Sequence, residues 1–202
     1  MEIIRGPFNN LKEIILASAS PRRQYLLSLL GIHFEVKESH VREIEKGHMP
    51  HDLAILNARN KAEYILRTRY RGVIIGADTI VVFKGKILGK PRDKEDAYFT
   101  LKRLSGNWHE VITGCYIIDN SNESKQIEQF FVNSMVFLDK MDDDIIRKYI
   151  ETKEPMDKAG SYAVQGVGSF FVKEIKGSYT NVIGLPLNEV VTSLLRLKAI
   201  TV

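Results

Sequence analysis

A chain of 202 residues, of which 44% are hydrophobic and 27% charged, has the composition of a globular protein with one substantial core. Its net charge of +4 comes without a basic tract of the kind found in nucleic-acid-binding arms, so an anionic small molecule suits it at least as well as a polymer. The single cysteine, Cys115, excludes an internal disulfide, and the sequence has no signal-like N-terminus and no stretch of transmembrane length, so we expect a soluble cytoplasmic protein.

The first predicted elements are a short buried strand over residues 13–17 and a helix that begins just after it. Ser20 suits the N-cap position, and Pro21 suits the first helical position, where its missing N–H costs nothing. Gly31 stands where a left-handed residue is expected to end the helix. The helix itself is predicted from apolar residues at helical spacing: Leu26, Leu29 and Leu30.

The junction between this strand and helix is a candidate anion-binding loop. Ser18 and Ser20 supply hydroxyl groups, and Arg22 and Arg23 supply guanidinium groups beside the free N–H groups of the helix. Helix N-termini bind phosphate through those N–H groups, and arginine adds fork-shaped donors that match phosphoryl oxygens. The pattern favours a phosphate-binding loop over the alternative, which is an ordinary helix start with solvated arginines.

The next segments predict a strand at residues 33–37 and a second helix at about residues 51–69. Lys61 lies beside the inner face of that helix. The face is made of small and apolar side chains: Ala54, Ala58, Ala62, Ile65 and Leu66. The histidines of this region lack the spacing of a metal site, so we expect them at the surface: His40, His48 and His51.

After the anion-binding loop, Asp78 is the second feature that indicates a functional site. It interrupts the continuous apolar run of a strand that begins at Val73 and resumes at Ile80. An unpaired carboxylate is costly to bury. One interpretation is a carboxylate that accepts hydrogen bonds from Thr79 and a nearby turn. The other, which we favour beside an anion-binding loop, is a general base or metal ligand at a break in the strand.

The rest of the chain predicts a mixture of hairpins and helices rather than a purely parallel sheet. A hairpin turn is expected at Lys84-Gly85, and Asp93 is expected to cap a third helix. The glycine- and aromatic-rich residues 160–172 predict strands and tight turns. The remaining predicted elements are long strands at 111–118 and 127–138, a helix at 142–150 and a last helix that carries Leu187, Val190, Val191, Leu194 and Leu195.

Several residues in the predicted loops could contact a polyphosphate or a base. Lys90 and Lys158 lie in turns bounded by glycine or proline. Each is either a solvated surface lysine or a point-charge clamp on phosphate. Gln165 could read the edge of a base through its amide, although such a residue is more often part of a turn. His109 could titrate near neutral pH, but nothing near it in sequence indicates a catalytic role.

Taken together, a set of ordered segments resembles the Maf family of nucleotide pyrophosphatases over residues 11–197, after an N-terminal extension at 1–10. The segments are Leu-Ala-Ser-Ala-Ser-Pro-Arg-Arg (16–23), Gly-Ala-Asp-Thr (76–79), Leu-Gly-Lys-Pro (88–91), Leu-Ser-Gly (104–106), Asp-Lys-Ala-Gly-Ser-Tyr-Ala-Val-Gln-Gly (157–166) and Asn-Val-Ile-Gly-Leu-Pro-Leu (181–187). Any one of these motifs is weak evidence, but their order and spacing are specific.

This resemblance implies an α/β (mixed α+β) fold similar to inosine triphosphatases, with a long, mixed, twisted sheet flanked by helices and two lobes around a deep cleft. It also implies hydrolysis of a nucleoside triphosphate to the monophosphate and pyrophosphate with Mg²⁺ or Mn²⁺, and a homodimer. The form of the segment 157–166 is similar to the branch that acts on dTTP and UTP. The family is further linked to modified nucleotides and to arrest of cell division.

The same resemblance implies roles for individual residues. Asp78 corresponds to the proton acceptor. The residues implied to bind substrate are Ser18, Arg22 and Arg23 in the phosphate loop, the lysines Lys61, Lys90 and Lys158, and Thr79 and Gln165, which with Arg22 tune base preference. The family's acidic segment reads His40-Val-Arg-Glu43 here, which leaves Glu43 beside Asp78 as the implied metal ligand, with Glu45 as a substitute.

Two other functions fit parts of the sequence. One is a non-catalytic, nucleotide-binding regulator of cell division, although a sensor has no need to keep the base Asp78. The other is binding of single-stranded nucleic acid through the arginine loop, which predicts a basic stripe interleaved with aromatic residues. The aromatic residues here cluster in strand-like runs instead, so we do not expect a nucleic-acid polymer as a partner. A membrane is not expected as a partner either, because no stretch approaches transmembrane length.

Overall fold

The computed structural model of the chain describes residues 6–68 and 70–202. Within this part the strands are β1 (Asn9–Asn10), β2 (Ile14–Leu16), β3 (Glu35–Val36), β4 (Val73–Phe83), β5 (Lys86–Leu88), β6 (Trp108–Asp119), β7 (Gln126–Leu138), β8 (Val172–Lys176) and β9 (Ile200–Thr201). The α-helices are α1 (Pro21–Ser28), α2 (Pro50–Leu66), α3 (Lys94–Leu104), α4 (Asp143–Glu151), α5 (Tyr179–Ile183) and α6 (Leu187–Arg196). Among these residues, no helix combines the length and the apolar character needed to cross a membrane.

The strands form a mixed sheet. Its order is β3-β2-β4-β6-β7-β8, with β5 paired to β4, and a separate small sheet joins β1 to β9. Strand β2 runs parallel to both β3 and β4, whereas the pairs β4–β5 and β7–β8 are antiparallel. This combination confirms the predicted mixed α/β class, with a multi-stranded sheet and accompanying helices.

The chain divides into two compact units, each described here by itself. The first holds the described residues of Met1–Asp78, Thr113–Phe131 and Gly184–Val202, and the second holds Thr79–Ile112 and Val132–Ile183. The predicted cleft between two lobes, the twist of the sheet and the domain boundaries at 1–10 and 11–197 stay predictions.

The core of the first unit forms where α2 packs on parallel strands. Ala58, Ala62 and Ile65 of the helix are buried together with Ile15 of β2 and Ile74 of β4. These α2 residues repeat at three- and four-residue spacing, so they lie on one face of the helix, as predicted. The small alanines allow the helix backbone to approach the sheet closely.

Two strand glycines make that approach closer still. A Cβ atom at Gly76 of β4 would lie 2.2 Å from the Ala58 carbonyl oxygen, and one at Gly114 of β6 would lie 2.4 Å from the Ala54 carbonyl carbon. No side chain of any size fits at such distances, so glycine is required at both positions. As a result, polar side chains on this face of α2 can reach the carboxylate of Asp78, two residues after Gly76.

The second unit is built around a hairpin and two helices. Val81 of β4 pairs with Leu88 of β5 across the predicted turn, where Lys84 and Gly85 adopt φ values of 49° and 73°. Asp93 caps α3 through a hydrogen bond from the Asp96 N–H, also as predicted. The buried core of this unit draws on α3, α4 and the strands, including Leu101, Leu104, Val136, Leu138, Ile146 and Phe171.

One sequence prediction is wrong, and a second is wrong in part. Strand β4 is not interrupted at Asp78 but runs without a break from Val73 to Phe83. The buried carboxylate is satisfied by side chains from α2, so the backbone has no need to leave the strand. Residues 160–172 form the predicted tight turns, as 3-10 turns at Ala159–Ser161 and Val167–Phe171, but not the predicted strands, because positive φ angles at Gly160, Ser161 and Gly166 break any extended run.

Candidate active site

The centre of the first unit's polar cluster is Lys61, which bridges two carboxylates. Its ammonium nitrogen donates to Asp78 Oδ1 at 2.6 Å and to Glu43 Oε1 at 2.6 Å. Lys61 is 7% exposed and Asp78 is 5% exposed, whereas Glu43 lies at the surface. The structure therefore brings together three residues that the resemblance implied: the proton acceptor, a lysine and the carboxylate of the altered acidic segment.

The fold explains why Asp78 and Lys61 meet. Asp78 lies two residues after Gly76 in β4, and Lys61 lies three residues after Ala58 in α2. The helix and the strand approach closely at Gly76 and Ala58, because a Cβ atom at Gly76 would lie 2.2 Å from the Ala58 carbonyl oxygen. Polar side chains at neighbouring positions then face each other across a short distance. A buried lysine and a buried aspartate are each costly alone, and their pairing removes much of that cost.

Asn57 also belongs to this cluster, although it was not predicted from the sequence. Its amide nitrogen donates to Asp78 Oδ2 at 3.1 Å and to the Ile44 carbonyl oxygen at 3.0 Å. Its amide oxygen accepts from the Ile44 N–H at 2.9 Å. The available signal was a polar amide on the alanine face of α2, one helical turn before Lys61.

The serine–arginine loop is anchored through Arg23. The guanidinium donates from Nε to the Gly184 carbonyl oxygen at 2.8 Å and from an Nη atom to Ser18 Oγ at 3.2 Å. Ser18 is buried and also accepts from the Ser20 N–H at 3.3 Å. Ser20 and Pro21 occupy the predicted cap and first helical positions, but among the described residues the Ser20 side chain makes no cap hydrogen bond.

Electrostatics links this loop to the carboxylates. Burial lowers the pKa of Arg23, while Asp78 and Glu43 act to raise it and Arg22 lowers it further. Arg23 therefore lies close enough to both carboxylates to feel their charge, with Arg22 beside it. The predicted loop residues Ser18, Arg22 and Arg23 thus share one neighbourhood of the first unit with Asp78 and Glu43.

The other predicted site residues, Thr79, Lys90, Lys158 and Gln165, belong to the second unit. There the loops of the two lysines are tied together, because the Gly160 N–H donates to the Gly89 carbonyl oxygen at 3.3 Å. Lys90 is exposed. The ammonium of Lys158 instead contacts the Glu154 carbonyl oxygen at 2.8 Å and Asp157 Oδ1 at 2.6 Å.

A carboxylate that the sequence did not reveal holds the loop around Gln165. Glu154 accepts hydrogen bonds from the N–H groups of Val167 and Gly168, at 3.0 and 2.8 Å, and from the Tyr149 hydroxyl at 2.8 Å. Burial acts to raise the pKa of Glu154, but these hydrogen bonds outweigh it and lower the pKa. The half-buried Gln165 is thereby presented by a turn with a fixed backbone.

Two buried titratable groups stay uncharged at neutral pH. The ring of His109 shares a 2.8 Å hydrogen bond with the Tyr162 hydroxyl, and burial lowers the pKa of His109 to about 4. The expectation that His109 titrates near neutral pH is therefore wrong. Burial raises the pKa of the Cys115 thiol to about 12, although the charge of Arg23 acts to lower it, so the thiol stays protonated, as suits the structural residue that its apolar run in the sequence indicates.

Comparison with known proteins places the chain in a family. The sequence profile of one family, described as Maf-like protein, matches residues 13–197. The chain belongs to the Maf-like family. The profile spans every predicted site residue of this Maf-like protein, from Ser18 to Gln165.

Curated relatives of this Maf-like protein have consistent names. A protein of Geotalea uraniireducens named dTTP/UTP pyrophosphatase is 48% identical over 93% of this chain and 96% of its own length. Proteins of the same name from Syntrophus aciditrophicus and Caldicellulosiruptor saccharolyticus are each 44% identical, over 94% and 93% of this chain and 92% and 96% of their own lengths. Among solved structures, the Staphylococcus aureus Ham1 protein is similar over 62% of this chain and 72% of that one, with 15% identity and a TM-score of 0.40.

Proposed function

We propose that this Maf-like protein hydrolyses dTTP and UTP to the corresponding monophosphate and pyrophosphate. The observation that carries this conclusion is near-full-length identity of 48% to a dTTP/UTP pyrophosphatase. The polar cluster of the first unit supplies suitable chemistry, because it combines a buried carboxylate with lysine and arginine side chains. No comparison supports the alternative of a non-catalytic regulator.

A divalent cation, Mg²⁺ or Mn²⁺, fits the carboxylates of this cluster. Asp78 and Glu43 already converge on one positive charge, the Lys61 ammonium, which stands in for a cation. Within the described residues no group of three or more histidine, cysteine, aspartate or glutamate side chains is placed to hold a metal. In proteins Mg²⁺ is commonly bound by one or two carboxylates, and substrate phosphates and water fill its remaining coordination positions. When bound, such a cation neutralises negative charge on the phosphoryl oxygens.

In the proposed reaction, water attacks the α-phosphorus and the bond from that phosphorus to the α,β-bridging oxygen breaks. Asp78 takes a proton from the attacking water, and pyrophosphate leaves with the electron pair of the broken bond. Phosphoryl transfer depends mostly on positioning and on charge stabilisation, which positively charged side chains provide. The residues proposed to bind the phosphates are Ser18, Arg22, Arg23, Lys61, Lys90 and Lys158.

The proposal also assigns residues that select the base of the nucleotide. Thr79 and Gln165 are proposed to contact the base, together with Arg22. The turn that carries Gln165 is held by Glu154, which gives a neutral amide a defined position from which to read a pyrimidine edge. We further propose that the protein is a cytoplasmic homodimer that acts on free nucleotides, without a nucleic-acid polymer or a membrane as a partner. We also propose that it hydrolyses modified pyrimidine nucleotides and that it is linked to arrest of cell division.

The test is release of pyrophosphate from a panel of canonical and modified nucleoside triphosphates, with Mg²⁺ or Mn²⁺. The proposal expects dTTP and UTP to give the highest kcat/KM. A matched assay for release of inorganic phosphate distinguishes cleavage at the α-phosphorus from cleavage at the γ-phosphorus. Release of phosphate in place of pyrophosphate, or measurable nucleotide binding without turnover across the panel, would contradict the proposal.

A further inference from the structure

Two chemically different links, both among the described residues, join the segment that carries Glu43 to Asp78. The first is the Lys61 ammonium, which contacts one oxygen of each carboxylate. The second is Asn57, whose amide contacts Asp78 on one side and the backbone of Ile44, next to Glu43, on the other. The first link depends on charge and the second does not.

The Asn57 contacts form a clamp that uses the whole side-chain amide. The oxygen accepts from the Ile44 N–H, one hydrogen of the nitrogen goes to the Ile44 carbonyl oxygen, and the other goes to Asp78 Oδ2. Asn57 is only 3% exposed, so its amide is sheltered from water, although Ile44 itself is half-buried. A buried amide that exchanges both bonds with a single residue's backbone fixes that residue in position and in orientation.

The two links respond differently to ligands. An ammonium and a divalent cation cannot share the space between the same two carboxylate oxygens, because their charges repel and each needs those oxygens. A lysine that turns toward substrate phosphates likewise has to release at least one carboxylate. Asn57 is neutral and holds the backbone rather than the Glu43 carboxylate, so its bonds to Ile44 can persist while Lys61 moves.

We infer that Asn57 is a positioning residue, which keeps the Glu43 segment docked against Asp78 when Lys61 leaves the two carboxylates. This inference rests on the proposed function for the role of the two carboxylates. One turn of α2 then supplies both a charge that can move, at Lys61, and a neutral side chain that holds the Glu43 segment in place, at Asn57.

The test compares Asn57→Leu, which removes all three hydrogen bonds at similar volume, with Asn60→Leu, which makes the same change in the same helix. Amide hydrogen exchange is measured by NMR at Ile44, with Ile74 in β4 as the internal reference. In Asn57→Leu we expect exchange at Ile44 to be roughly tenfold faster or more, with Ile74 unchanged. Asn60→Leu should leave both rates at the wild-type values.

A second measurement follows Mn²⁺ binding by electron paramagnetic resonance, without any nucleotide turnover. Loss of a residue that orients a metal ligand typically weakens binding by about 10–100-fold, and we expect an effect in this range for Asn57→Leu alone. If Asn57→Leu does not fold, Asn57→Ala takes its place, because it removes the same bonds without placing an apolar group beside Asp78.

The outcomes separate this inference from the proposed function. Unchanged Ile44 exchange, or unchanged Mn²⁺ affinity, in a folded Asn57 variant would overturn the positioning role. Faster exchange at Ile44 and Ile74 alike would show general loosening of the unit and would overturn it as well. Failure of the wild-type protein to hydrolyse any triphosphate would refute the proposed function, while the exchange and Mn²⁺ measurements would still decide the role of Asn57.

Discussion

Removing the charge of Lys61 tests whether its ammonium stands in for a cation. Lys61→Met keeps most of the buried aliphatic stem but leaves Asp78 and Glu43 without the group that both contact. The two contacted oxygens each lie 2.6 Å from the nitrogen, so they are at most about 5.2 Å apart. At an effective dielectric constant near 20, charges at that separation repel by about 3 kcal/mol.

The expected loss of stability is therefore about 2–3 kcal/mol. Removing one partner of a buried ion pair costs about 3–5 kcal/mol in general. The Glu43 side chain is 44% exposed, so water screens part of the repulsion between the two carboxylates. The expected loss of stability in Lys61→Met is therefore near or below the lower end of that range. Excess Mg²⁺ should restore much of the loss, because a cation that binds only the folded state adds to its stability.

The assay is urea unfolding followed by circular dichroism, with and without excess MgCl₂. Lys12→Met is the matched control, because Lys12 contacts the buried Asp119 at 2.5 Å in the same unit and, within residues 6–68 and 70–202, makes no ion pair with a second carboxylate. We expect a similar loss in this control and little response to Mg²⁺. An equal response to Mg²⁺ in the two variants, or a loss below about 1 kcal/mol in Lys61→Met, would refute the reasoning.

Two further predictions concern the second unit. Since burial lowers the pKa of His109 from 6.5 to about 4, the folded state binds fewer protons than the unfolded state between these values, and stability present above pH 6.5 is lost as the pH falls toward 4. Between pH 7 and pH 5, urea unfolding should show that the free energy of unfolding falls by about 2 kcal/mol, and His109→Gln should abolish this fall. The same pH dependence in His109→Gln and in the wild-type protein would contradict this prediction. Glu154→Gln replaces one accepting carboxylate oxygen with an NH₂ group, which donates and cannot accept, so one of the backbone N–H groups of the turn loses its partner. Selectivity for dTTP over dCTP in kcat/KM should therefore fall roughly tenfold, whereas Glu151→Gln on the exposed end of α4 should not change it.

Features fixed by neighbouring residues could be predicted from the sequence. Pro21 begins α1, Asp93 caps α3 and Lys84-Gly85 turns the hairpin, each in the place that local backbone chemistry indicates. The alanine face of α2 was also predicted, because helical periodicity is a local property. These signals fixed the class of the fold and the order of most elements.

Features that depend on distant contacts could not be predicted in the same way. Asp78 was expected to break its strand because its partners, 17 and 21 residues earlier in the chain, are invisible to a local pattern. Asn57 was missed because one amide in an apolar periodic face has no distinctive spacing. Glu154 was missed because its hydrogen bonds reach residues 13 and 14 positions later.

Asp78 as the proton acceptor is the central claim of the proposed mechanism. The most direct measurement is kcat for dTTP hydrolysis by Asp78→Asn, together with the Kd for dTTP, against the wild-type protein. Loss of a general base should lower kcat on the order of 10²–10⁴-fold, with nucleotide binding largely kept. Turnover by Asp78→Asn within a few-fold of the wild-type value would contradict the central claim.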